Sequence, residues 1–93
     1  MNNLTSFQRD LLYIVFGLDG PNGQAIKDEL ENYYEEKISD GRLYPNLDTL
    51  VEKELINKGQ HDRLTNKYTT THRGNREIEA RVKWKTQYIE YNN

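Results

Sequence analysis

The chain has 93 residues, no cysteine, 34% hydrophobic and 30% charged side chains, which suits one small domain rather than two. Without cysteine, disulfides, thiolate catalysis and zinc-finger chemistry are excluded together. Net charge is −2, but it is unevenly spread: residues 1–56 hold eleven acids against five bases, and residues 57–93 hold eight bases against four acids.

Ten aromatic residues and regular apolar spacing argue against disorder. The longest apolar run, Leu11 to Phe16, is about a third of the ~20 residues a membrane span needs. Met1-Asn2-Asn3 lacks the basic start of a signal peptide, so a cytoplasmic protein is expected, with no membrane contact. A domain this small buries only roughly 60 to 65% of its unfolded surface, which makes self-association a reasonable expectation.

Thr5 and Gln8 form a T-x-x-Q capping box, and Leu4, Phe7, Leu11, Ile14, Val15 and Leu18 recur at three- and four-residue steps. A first helix over 6–18 follows. The turn formers Asp19-Gly20-Pro21-Asn22-Gly23 end it, and Asn22 can cap a second helix over 23–36 that carries Ala25, Ile26, Leu30, Tyr33 and Tyr34 on one side. Leu43, Leu47, Leu50 and Val51 define a third helix starting between Asp40 and Arg42, with Pro45 expected in its first turn, where a missing N–H is harmless. The period then changes. Leu55 to Gly59 and Lys67 to Thr71 read as the strands of a β-hairpin around the polar loop 61–66. Thr71 caps a last helix over 72–91, which Gly74 weakens by ~1 kcal/mol relative to alanine. Three helices, a two-stranded ribbon and a terminal helix describe an α+β, mostly α, winged helix-turn-helix, a fold in which the third helix can enter a DNA groove.

Gly41-Arg42-Leu43-Tyr44-Pro45-Asn46-Leu47 resembles the recognition helix of the PadR-like winged-helix transcriptional regulators, where a Leu-Tyr pair is followed by spaced leucines. Phe7-Gln8-Arg9-Asp10-Leu11-Leu12 and Gly23-Gln24-Ala25-Ile26 look like the first two helices of the short archaeal members. Leu50 to Ile56 is similar to the exit of the recognition helix, and Tyr68-Thr69-Thr70-Thr71-His72-Arg73-Gly74 to the junction of wing and last helix. The resemblance covers about residues 5–90. Glu54 departs from it, standing where the family commonly has a glycine in a left-handed turn.

The resemblance implies a homodimeric, sequence-specific DNA-binding regulator, without a cofactor. Residues 1–72 would form the DNA-binding part and 73–93 a dimerisation helix packed with the first helix, all within one structural domain. With Leu43, Leu47, Leu50 and Tyr44 packed inward, the opposite side of the helix over 40–53 would present Arg42, Asn46, Thr49 and Lys53 to the major groove. Arginine and asparagine can read guanine and adenine edges bidentately, and threonine can meet a thymine methyl or a phosphate. The wing over 58–67 offers Lys58, His61, Arg63, Asn66 and Lys67 to the backbone or the minor groove. Gln8, Asn22, Gln24 and Lys27 can add backbone contacts, while Glu29, Glu31, Glu35 and Glu36 are expected to face away from the duplex.

The last helix carries two apolar stripes, Ile78, Val82 and Ile89 on one and Trp84, Tyr88 and Tyr91 on the other. One can cover its own domain. The other needs a partner, which the resemblance implies is the same helix of a second subunit beside Phe7 and Leu11 of the first helix. Such a two-fold dimer implies an inverted-repeat operator in double-stranded DNA. An effector near Trp84 and Tyr88 is the less favoured reading of that stripe. The competing function is protein docking through the acidic first half, with Tyr33 and Tyr34 exposed. An enzyme is the weakest reading: His61 and His72 lie eleven residues apart with no catalytic or metal-ligand spacing around them.

Overall fold

The computed structural model of the chain describes residues 1–60 and 65–89. His61, Arg63 and Tyr91 lie outside them. In chain order the elements are α1 (Ser6–Leu18), α2 (Gly23–Tyr34), α3 (Asp40–Glu52), β1 (Ile56–Gln60), β2 (Asn66–Thr70) and α4 (His72–Ile89).

Each helix starts where a side chain takes over a backbone donor. Thr5 Oγ1 accepts from Gln8 N (3.1 Å) while Gln8 Oε1 accepts from Thr5 N (3.1 Å), completing the capping box. Asn22 accepts from Ala25 N (2.8 Å), Ser39 from Arg42 N (3.2 Å) and Thr71 from Gly74 N (2.9 Å). Helix α3 thus begins at Asp40, capped by Ser39. Pro45 is therefore its sixth residue, not a member of the first turn, and withholds the N–H that would bond the Gly41 carbonyl.

The exit of α3 follows a Schellman pattern: Leu55 N donates to Leu50 O (3.0 Å) and Glu54 N to Val51 O (2.9 Å). Glu54 sits between these bonds at φ 61°, the left-handed conformation that glycine adopts without penalty.

Residues from every helix and both strands meet in one core, with Leu11, Leu12, Ile26, Leu30, Leu43, Leu47 and Leu50 fully buried. Each contributes about 1.5–3 kcal/mol through removal from water. Phe7 and Leu11 belong to this core, so neither is available to a second subunit as the sequence suggested. Tyr34 is half-buried against it and its hydroxyl donates to Asp10, leaving only Tyr33 of that pair fully exposed. Together, burial and the Asp10 carboxylate push the Tyr34 phenol up to about 12.

The strands pair antiparallel, Ile56 opposite Thr70 and Lys58 opposite Tyr68. Tyr68 N donates to Pro21 O (2.9 Å), which ties the hairpin to the α1–α2 turn and sends the Tyr68 ring inward. At the start of α4, Thr71 N donates to Leu55 O (3.1 Å), and a Cβ on Gly74 would overlap that same carbonyl oxygen. This glycine is a requirement of close packing, where propensity alone marks it as a weakness.

Beyond Ile78 the terminal helix leaves the core. Val82, Trp84, Tyr88 and Ile89 are 50–62% exposed, so among the described residues Ile78 is the one member of the two apolar stripes that its own chain covers. No helix among the described residues is long and apolar enough to cross a membrane.

Candidate nucleic-acid interface

At about 100° per residue, Leu43, Leu47 and Leu50 fix the inward direction of α3. Tyr44 follows Leu43 by one residue and is therefore turned about 100° away from it. It is 40% exposed rather than packed inward. Its hydroxyl lies against Gly23 at the start of α2, where a Cβ would overlap it. Asp48, one turn further, is exposed and faces Lys58 of β1, 3.9 Å from its ammonium. This flank of α3 thus points to the α2 N-terminus and the wing.

Arg42, Asn46 and Lys53 lie on the other flank. The Arg42 guanidinium stacks over the Phe7 ring, 4.1 Å from its centroid, and stands 3.8 Å from Glu36. Asn46 is committed at both ends of its amide: Oδ1 accepts from Gln8 Nε2 (3.0 Å) and Nδ2 donates to Arg42 O (2.7 Å). Gln8 is buried, so this bond anchors α3 to the start of α1. Lys53 closes α3 beside Leu4, Leu55, Arg73 and Glu77, remote from the wing. Thr49, two turns after Arg42 and about 20° from it in direction, lies at the outer edge of that flank, its hydroxyl donating to Pro45 O (3.0 Å). Directly opposite the leucines are Gly41, Pro45 and Glu52, all exposed.

Of the wing candidates, Lys58, Asn66 and Lys67 are exposed on paired strands. Asn66 and Lys67 share a shallow notch with Gly20 and Asn22, and an adjoining one joins Asn66 to Gln24, Tyr44 and Tyr68. Lys27 on α2 pairs with Asp40 at the start of α3 (3.0 Å), which raises its pKa through that hydrogen bond. The structure therefore gathers Asn22, Gln24, Tyr44, Asp48, Lys58, Asn66 and Lys67 on one surface. Tyr44 and Asp48 escaped the sequence reading, although the one-residue step from Leu43 already turns Tyr44 off the core axis.

The sequence pattern of the transcriptional regulator PadR-like family matches residues 11–80. The chain belongs to this family. RosR from H. salinarum is 40% identical to it and superposes with a TM-score of 0.91, covering 98% of this chain and 82% of RosR. A complex structure of the same protein, hsRosR-S1, has the same identity and TM-score, with 98% and 80% coverage. A PadR-like transcription factor from B. fragilis is 16% identical and shares the fold, with a TM-score of 0.70 over 94% of this chain and 89% of that one. No curated protein matches the chain. Membership makes this chain a winged-helix, DNA-binding transcription regulator and not an enzyme.

Proposed function

We propose that the chain regulates transcription as a two-fold homodimer that inserts α3 into the major groove of an inverted-repeat operator, with the wing on the adjoining backbone. The DNA-facing surface is the one gathered by geometry: Tyr44 and Asp48 on α3, Asn22 and Gln24 at the start of α2, and Lys58, Asn66 and Lys67 on the wing. Arg42 serves the flank of that surface, stacked on Phe7 and reaching a phosphate. Asn46 and Lys53 support the helix rather than read bases. Residues 1–78 form the DNA-binding part, since Gly74 and Ile78 are packed into its core, and the remainder of α4 is the dimerisation arm.

One observation carries the dimer: four large apolar side chains on α4, Val82, Trp84, Tyr88 and Ile89, stand half exposed or more. Phe16 and Leu18 at the end of α1 are exposed as well. A patch of this kind marks an interface, and in a chain of one type the self-complementary solution is two-fold. Two recognition helices then sit about one helical turn apart, near 34 Å, which a palindromic site matches.

The test combines selection from a randomised duplex pool with sedimentation equilibrium. Wild type is expected to sediment as a dimer and to enrich an inverted repeat. A Trp84→Ala, Tyr88→Ala variant should sediment as a monomer and lose the repeat symmetry. A Tyr44→Ala, Asp48→Ala variant should remain dimeric and lose selection. Enrichment of no sequence by wild type, or a dimer unchanged by the α4 substitutions, would refute the proposal.

A further inference from the structure

Among the described residues, one buried polar side-chain atom has no hydrogen-bond partner. Tyr68 is 1% exposed, and its hydroxyl has no hydrogen-bond partner among the described residues. Buried hydroxyls are nearly always paired, so an orphan of this kind points to a partner that arrives from outside the chain. Tyr68 lines a notch of about 340 Å³ that opens between the start of α2, Tyr44 and β2.

The donors around this notch all favour an anion. Asn22 satisfies the N–H of Ala25, which leaves the N–H groups of Gly23 and Gln24 ahead of the first intrahelical bond and at the positive end of the α2 dipole. The Lys67 stem lies across Gly20, whose φ of +80° and missing Cβ let it pass, so the ammonium is held in the adjoining notch, which shares Asn22 and Asn66 with this one. Gly23 admits the Tyr44 hydroxyl in the same way. Asp48 is nearby but is turned to Lys58. Burial first, and then the charge of Asp48, raise the pKa of the Tyr68 phenol, which keeps it a donor.

We propose that this notch seats one backbone phosphate of the DNA in each half-site, with the Tyr68 hydroxyl as its buried donor, directly or through one bridging water, and Lys67 as its counter-charge. The inference rests on the DNA-binding surface proposed above and adds to it a defined ligand, a phosphodiester. The notch adjoins Tyr44 on the DNA-facing flank of α3, so the phosphate it takes is part of a duplex bound there.

Tyr68→Phe supplies a test with two readouts of opposite sign. Removing an unpartnered buried hydroxyl should raise the Tm of the free protein by several degrees. The same change should weaken binding to the selected duplex by about tenfold while leaving base preference intact, as expected for one hydrogen bond to a charged oxygen. Lys67→Gln should reduce the slope of log K against log salt by about one. Single methylphosphonate substitutions along the duplex then locate the seat: one position per half-site should weaken wild type several-fold and weaken Tyr68→Phe distinctly less, because Lys67 and the α2 N-terminus still meet the charge there. The inference alone fails if wild type binds and Tyr68→Phe binds equally well, or if no position shows this coupling. Displacement of the duplex by inorganic phosphate at constant ionic strength would make the notch a general anion site and overturn its assignment to DNA. Failure of wild type to bind any duplex overturns the DNA-binding surface together with its seat.

Discussion

Gly74 and Gly17 form a matched pair, because the same substitution to alanine in two helices should change stability in opposite directions. A Cβ on Gly17 meets nothing within 4 Å. Gly17→Ala therefore gains the helix propensity difference alone, about 0.5–1 kcal/mol. A Cβ on Gly74 would overlap Leu55 O, with the carbonyl carbon 3.2 Å away, and both are backbone atoms that cannot swing aside. That oxygen is the acceptor of Thr71 N at 3.1 Å, the bond that joins the α3 exit to the α4 start. Overpacking costs about 1–3 kcal/mol and a strained hydrogen bond about 0.5–1.5, against a propensity gain of about 1. The net is destabilisation of about 2 kcal/mol, which for a domain of this size lowers Tm by about 8–16 °C. Calorimetry of both variants at one protein concentration, since association shifts Tm, checks it. A Gly74→Ala protein as stable as wild type would show that the α3–α4 junction yields freely, and the packing argument would be wrong.

Three further outcomes follow from the same geometry. Glu54→Gly should raise the urea midpoint by the equivalent of about 0.5–1 kcal/mol, because it relieves the left-handed residue and loses only an exposed 3.6 Å pair with Arg73; a lower midpoint would sink the idea. Asn46→Ala should cost about 1–2 kcal/mol by stranding buried Gln8 and should leave DNA sequence preference unchanged; changed preference at unchanged stability would return Asn46 to the bases. The Tyr34 phenol ionises less readily in the fold than when unfolded, rising from 10.0 to about 12. Its contribution is therefore intact below pH 10 and is lost as pH climbs from 10 to about 12. Across that window the urea midpoint should fall less steeply for Tyr34→Phe than for wild type, and parallel curves would contradict it.

What the sequence displays is what neighbours along the chain decide. The Thr5–Gln8 box, the Asn22 and Thr71 caps and the spacing of Leu43, Leu47 and Leu50 are local, and each stands as read. The fold departs from the sequence pattern where a distant element chooses. Taking Tyr44 as inward tilts the apparent core axis of α3 and turns Arg42, Asn46 and Lys53 into the opposite face. In the fold Gly23, 21 residues earlier, draws Tyr44 to the other flank, and Gln8, 38 residues from Asn46, claims its amide. Gly74 carries the same lesson, since only the Leu55 carbonyl explains it. On α4 the two apolar stripes are visible in the sequence, but their exposure beyond Ile78 depends on where the core ends.

The distribution of charge across the proposed DNA surface explains how an acidic chain can serve there. Lys27 is held by Asp40 and Lys58 by Asp48, so each of these cations already has a carboxylate partner before DNA arrives. A phosphate that takes either lysine must displace that carboxylate, and the exchange returns less free energy than meeting an unpaired cation would. Long-range attraction is correspondingly small, and loose binding to arbitrary sequence with it. Asp48, once released at the groove, can accept only from a donor such as the cytosine amino group. The same pairing that weakens non-specific attraction therefore converts part of the binding energy into a demand for the right base. Lys67 differs, having no carboxylate within ion-pair distance among the described residues. It is the cation in this surface best placed to make the first contact with the backbone, from a notch that adjoins the one Tyr68 lines.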